Sequence, residues 1–287
     1  MSLNDKDKKW CQRMATIHDF FTEVINKSTM LRCHIVKDHH ESLYAVSPIV
    51  DFIDNRIDTI LLLVENLRFW DAEMPYRSAL EATAKLAKII LSENENSQES
   101  LITEFWEDLY EINLLKRAKK ARAYMQLPIT DELKAQFYNL QLPDAEFEKL
   151  KEKWPKQKQR ALENTWSFNA IISKISSLNI LPSRVSNILE TISYNYKMSS
   201  HLIHGDETGI MIIRERELSP LNESRDVDAA HMFRLLSDSF FISATISLFT
   251  AIFVRNIEIS DKIESLIKDV LCKMEKYRGI QNFSERV

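Results

Sequence analysis

Ser47-Pro48-Ile49-Val50-Asp51-Phe52-Ile53-Asp54-Asn55-Arg56-Ile57-Asp58-Thr59-Ile60-Leu61-Leu62-Leu63-Val64-Glu65-Asn66-Leu67-Arg68-Phe69 is the stretch whose periodicity decides the fold. Ile49, Phe52, Ile53, Ile57, Ile60, Leu61, Val64 and Leu67 recur at the three- and four-residue steps that line one face of a helix. Ser47 reads as its N-cap and Pro48 as its first helical residue.

The same period extends outward in both directions. It predicts helices from Asp5 to Lys27, from Tyr76 to Leu91 after a break at Met74-Pro75, and from Ser100 to Gln126. Short helices are expected near Asp131 to Leu140 and Asp144 to Trp154, then from Trp166 to Leu178. Leu181-Pro182-Ser183 restarts the chain into a helix ending at Gly205, Val227 to Arg255 is the most apolar segment, and Ser260-Asp261 caps a last helix stopped by Gly279. With only 3 glycines and 7 prolines in 287 residues, there is too little turn material for all-β or doubly wound folds. The expected architecture is an all-α multi-helix bundle, a single domain over 1–287 with a helical insertion or subdomain at 92–165. After Gly205 a long loop or a small hairpin is expected, Ile210-Met211-Ile212-Ile213 pairing with Arg214 to Leu218.

A net charge of −4 does not mark the whole chain as a polyanion binder, but the cations are unevenly spread. Lys116, Arg117, Lys119, Lys120 and Arg122 form one cluster; Lys156, Lys158 and Arg160 belong to a second basic run beginning at Lys149. Since Glu104, Glu107, Asp108 and Glu111 precede the first cluster, it reads either as the basic end of a helix matched to its dipole or as a phosphate-contacting patch. Three widely spaced cysteines offer neither a disulfide framework nor zinc spacing, and point to a reducing cytoplasm. The polar start, Asn4 to Lys9, has no apolar signal region, and the uncharged run Ser239 to Val254 is too short for a membrane span, so it is expected to be a buried core helix. No P-loop, dinucleotide fingerprint, nucleophile elbow or cysteine-metal pattern is present, so neither a cofactor nor a metal is expected.

Polar chemistry concentrates in Tyr194-Asn195-Tyr196-Lys197-Met198-Ser199-Ser200-His201-Leu202-Ile203-His204-Gly205-Asp206. Val185, Ile188, Leu189, Ile192, Tyr196, Ser199 and Ile203 make the core face of this helix. On the helical wheel His204 falls roughly 100° from the centre of that face and His201 roughly 160°, so His204 is expected at the rim and His201 in solvent. Arg77 and Glu81, one turn apart on another helix, are either a modest surface pair or half of a polar site. A histidine oriented by a carboxylate, with an arginine to stabilise anionic charge, suits phosphodiester cleavage without metal. The other reading has His204 hydrogen-bonding at the negative end of its helix.

The segment Asn66-Leu67-Arg68-Phe69-Trp70-Asp71-Ala72-Glu73-Met74-Pro75-Tyr76-Arg77-Ser78-Ala79-Leu80-Glu81-Ala82, with Tyr196, Ser199 or Ser200, and His204-Gly205 further along, resembles bacterial helical families of unknown function. Those families are related to the HEPN (higher eukaryotes and prokaryotes nucleotide-binding) group and to abortive-infection proteins. The resemblance implies an all-helical bundle, frequently a homodimer, and in some relatives a metal-independent endoribonuclease of antiviral or toxin-antitoxin systems, with RNA as substrate and a protein partner from the same system. HEPN ribonucleases carry an arginine shortly before the histidine on one helix, whereas here Arg184 lies far upstream of both His201 and His204. Arg77 would have to supply that charge from another helix. The catalytic expectation is therefore His204 as acid or base, Arg77 as charge stabiliser, Glu81 as orienter and His201 in support. The alternative is a noncatalytic helical sensor or interaction module that docks a protein or nucleic acid through the basic segments and the chain after Gly205.

Overall fold

Helix α2, Ser47–Glu65, forms where the periodicity places it, with Ile49, Ile53, Ile57, Ile60 and Val64 buried. Its cap is Val46, so Ser47 and Pro48 lie in the first turn, where a proline sacrifices no hydrogen bond. The helix ends early because Leu67 adopts φ 57° and Arg68 N–H reaches back to Leu63 O at 2.8 Å, the six-to-one closure of a Schellman turn. Phe52 and Leu67, assigned to the buried stripe by spacing alone, are exposed.

The computed structural model describes residues 5–41, 43–92, 94–128, 130–177 and 183–278, with side chains described over 8–41, 43–92, 94–128, 130–177 and 194–275. The chain is all-α, and no strand occurs among the described residues. It divides into two compact units, one made of Met1–Ile90 and Leu178–Val287, the other of Leu91–Ser177.

In the first unit, α1 (Asp5–Asp38), α2, α3 (Glu73–Ile90), α11 (Glu207–Leu218) and α13 (Ile257–Arg278) all pack on α12 (Leu221–Phe253), and α10 (Ser183–His204) packs on α3 and α11. Helix α1 runs past Lys27 because Ser28, Arg32 and Ile35 continue its buried stripe. Arg32 is neutralised by Asp54, with Nη2 2.6 Å from Oδ1, and donates to Ser247 Oγ at 2.9 Å, linking α1, α2 and α12. Helix α12 is long and apolar enough to cross a membrane, and 78% of its most apolar window is buried inside the protein. Asn256 caps α13 through Ile259 N–H at 3.0 Å, four residues before the expected Ser260. The restart at Leu181-Pro182, the side chains of Arg184, Val185, Ile188, Leu189 and Ile192, and Gly279 lie outside the described residues.

The chain after Gly205 is neither a long loop nor a hairpin; it is α11. Gly205 ends α10 in the left-handed conformation, φ 57°, and Asp206 caps the new helix by accepting from Gly209 N–H at 3.0 Å. Arg216 then donates twice to Asp228, at 2.8 and 2.6 Å, fastening α11 to α12. Capping and this ion pair override the strand propensity of Ile210 to Ile213.

In the second unit, α4 (Glu95–Thr103) continues through a π-helical turn, Glu104–Asp108, into α5 (Leu109–Met125). Helices α6 (Asp131–Tyr138), α7 (Asp144–Lys153), α8 (Lys156–Thr165) and α9 (Phe168–Ser177) follow. Ile112, Leu115 and Ala118 pack with Phe147, Leu150 and Trp154 to form its core. The acids at the start of the long helix have local work beyond the dipole. Trp154 Nε1 donates to Glu111 at 2.7 Å and Trp166 Nε1 to Glu104 at 3.0 Å.

Candidate active site

Arg77 and Glu81 occupy one turn of α3, while Tyr196, Ser200 and His204 fall at four-residue steps along α10. Because α3 packs on α10, the two polar stripes meet, and the Arg77 guanidinium is their hub. Its Nε donates to Glu81 Oε1 at 3.1 Å, Nη1 to Ser200 Oγ at 2.9 Å and Nη2 to Tyr196 Oη at 3.0 Å. Nη1 also lies 3.4 Å from His204 Nε2. An arginine only donates, so His204 Nε2 faces it as an acceptor and the imidazole proton sits on Nδ1. Tyr196 Oη donates to Glu81 Oε1 at 2.9 Å, and its ring lies under the guanidinium carbon at 4.7 Å. Burial and the Glu81 carboxylate push the Tyr196 phenol above its usual range, so it serves as a hydrogen-bond donor.

The structure thus brings Arg77 to His204, while Glu81 orients Arg77 and Tyr196 rather than the histidine. The ordering of the two histidines reverses the wheel. His204 is exposed, whereas His201 is half-covered because Asp206, at the start of α11, comes within 2.7 Å of its Nδ1. A wheel drawn for an isolated helix omits the chain that folds back after it. His201 and Asp206 form their own pair beside the Arg77 cluster. Among the described residues no three His, Cys, Asp or Glu side chains converge as a metal site would require.

Directly inside this cluster lies a second polar constellation that the periodic reading passed over. Glu73, almost fully buried, accepts from Ser199 Oγ and pairs with Arg234, and His231 Nε2 stands 3.0 Å from its Oε1. Burial raises the Glu73 carboxyl, but His231, Arg234 and Ser199 outweigh it and leave the group below the ordinary glutamate value. Asp238 Oδ2 accepts from Tyr76 Oη at 2.8 Å and Asn195 Nδ2 at 2.9 Å, with Arg234 Nη1 at 3.5 Å. There burial prevails over Arg234, Tyr76 and Asn195, and the Asp238 carboxyl is raised. Trp70 stacks on His231 at 4.3 Å, closing the network on one side. His231, Arg234 and Asp238 recur at helical steps in the most apolar helix, a signal that was available in the sequence.

The basic residues belong to the other unit, and they divide by role. Lys116 is paired with Glu163, and Arg122 donates to Asp144 at 2.8 Å and to Leu142 O at 3.1 Å while covering the Phe147 ring at 3.7 Å. Both hold helices together. Arg117, Lys119, Lys120, Lys156, Lys158 and Arg160 are exposed. The dipole accounts for cations at the end of α5 but opposes those in the first turns of α8, which carry no acidic residue.

No family model, curated protein or solved structure matches this chain.

Proposed function

We propose that the α3–α10 cluster cleaves RNA phosphodiesters without metal, in the manner of a HEPN-like endoribonuclease serving bacterial antiviral defence or a toxin system. The observation that carries this reading is the Arg77 to His204 approach, 3.4 Å between Nη1 and Nε2 at an exposed surface. It supports a guanidinium supplied from α3 in place of one on the histidine's own helix. When substrate binds, Arg77 Nη1 exchanges its long contact to His204 Nε2 for a phosphorus oxygen, whose charge it stabilises, and the freed Nε2 lone pair accepts the proton of the ribose 2′-hydroxyl. Glu81, Tyr196 and Ser200 hold the guanidinium in one orientation, which removes reorganisation from the reaction. The exposed cations of α5 and α8 suit a phosphate backbone.

The test is cleavage of an RNA oligonucleotide in EDTA by wild type and His204→Ala, with circular dichroism on both. Wild type should yield 2′,3′-cyclic phosphate ends, and the folded variant should be slower by about 100-fold or more. An equal rate in the variant removes His204 from the chemistry. A second reading, a noncatalytic docking module, is favoured by the exposure of Ile210, Met211 and Ile213 on α11. It is distinguished by RNA binding without turnover.

A further inference from the structure

We propose that His201, oriented by Asp206, is the proton donor to the leaving 5′-oxygen, so that cleavage uses two histidines in opposite protonation states. This deepens the RNA-cleavage reading and rests on it.

Asp206 does two things with two oxygens. Oδ1 caps α11 through Gly209 N–H at 3.0 Å, and Oδ2 sits 2.7 Å from His201 Nδ1. The Gly209 amide, followed by His201, holds the Asp206 carboxyl below the ordinary range, so the aspartate is ionised and accepts. His201 Nδ1 must then carry its proton toward Asp206, leaving Nε2 as the atom that exchanges protons. Here a carboxylate fixes the tautomer. At His204 the neighbour is a guanidinium, which can only donate, so Nε2 faces it as an acceptor. The charged groups facing the pair are Asp206, ahead of α11, on His201, and Arg77 with Glu81, from α3, on His204.

The two histidines are three residues apart on α10, a spacing that puts their β-carbons on the order of 5–6 Å from one another on adjoining strips of the helix. A phosphate between their ring tips is flanked by an acceptor and a donor. In the step, the 2′-hydroxyl proton passes to His204 Nε2, the 2′-oxygen forms a bond to phosphorus, the bond from phosphorus to the 5′-oxygen breaks, and His201 Nε2–H protonates that oxygen. The products are a 2′,3′-cyclic phosphate and a 5′-hydroxyl, with no further reactant.

The contact is built into the backbone. Gly209 lies so near α10 that a β-carbon there would stand 2.3 Å from His201 O and 2.7 Å from His201 C, both backbone atoms. Only glycine lets α11 start where Asp206 reaches the ring.

The experiment compares an ordinary RNA oligonucleotide with one whose scissile 5′-oxygen is replaced by sulfur, a leaving group that needs no proton. His201→Ala should slow the ordinary substrate by about 100- to 10,000-fold and the sulfur substrate by only a few fold, whereas His204→Ala should slow both. The pH–rate profile gives an independent readout. The base must be unprotonated and the acid protonated, so His201→Ala should lose the alkaline limb and His204→Ala the acidic one. Asp206→Asn keeps the cap, because asparagine caps equally well, and should slow the ordinary substrate more than the sulfur one, because an amide no longer holds the proton on His201 Nδ1. If His201→Ala slows both substrates equally, or slows neither, the proton-donor role is overturned while the cleavage reading stands. If wild type cleaves neither substrate, the cleavage reading fails first and this role with it.

Discussion

Glu73 and Arg77 lie one turn apart on α3, and Ser199 and Ser200 are neighbours on α10, yet each pair meets a different environment. Glu73 and Ser199 turn inward and bind each other, His231 and Arg234; Arg77 and Ser200 turn outward and bind each other beside His204. The inner network is buried and the outer one reaches solvent. Similar side chains thus do opposite jobs: desolvated charges must be fully paired and fix the register of three helices, while partly exposed charges remain free to meet a ligand.

The largest expected effect strikes the inner network. Glu73→Gln removes the buried partner of Arg234 and His231 and leaves Arg234 only its longer contact to Asp238, a loss of about 3 kcal/mol, read as a fall in Tm on the order of 10 °C. A drop of only a degree or two would make the inner network as dispensable as a surface pair. Its pH signature has a definite sign. Since the folded Glu73 carboxyl lies below its ordinary 4.5, its contribution is present above that pH and is lost as pH falls through the folded value. Urea titrations should show wild type losing more stability than Glu73→Gln below about pH 4.5. Asp238 runs the other way: raised from 3.8, it costs stability as pH rises from there through the folded value, and Asp238→Asn should remove that cost.

A smaller effect is expected where α11 crosses α10. Gly209→Ala drives a methyl group into the His201 backbone and should cost about 1–3 kcal/mol. It should also release the His201 ring, observable as loss of the protected Nδ1 proton in NMR. Retention of that proton with unchanged Tm would show the crossing to be looser than it looks. The smallest effect on stability belongs to the outer cluster. There Arg77→Ala removes a part-buried ion pair at the edge of the packed face, worth about 1 kcal/mol.

The helices were legible because buried positions such as Ile53, Ile57 and Ile60 repeat at the helical period, and the Arg77 to Glu81 pair because four residues make one turn. Tyr196, Ser200 and His204 share the same four-residue step, but Tyr196 was assigned to the apolar core face and the three were not read as one stripe. Of the inner network only the spacing of His231, Arg234 and Asp238 was open to reading; their partners were not, since Glu73 stood just before Met74-Pro75, which looked like a break, and Asn195 is a polar side chain on a face expected to be apolar. Pairing within a core depends on which helices meet, and one helix's period carries no such information. The His201 to Asp206 pair was hidden for a further reason, the left-handed turn at Gly205 that reverses the chain over its own helix.

The outer cluster's assignment as the reactive one is tested most directly by measuring the RNA cleavage rate of Arg77→Ala in EDTA beside its Tm. A Tm within a few degrees of wild type, together with a rate lower by about 100-fold or more, is the expected result. A rate equal to wild type, or a rate that falls only in proportion to unfolded protein, would contradict it.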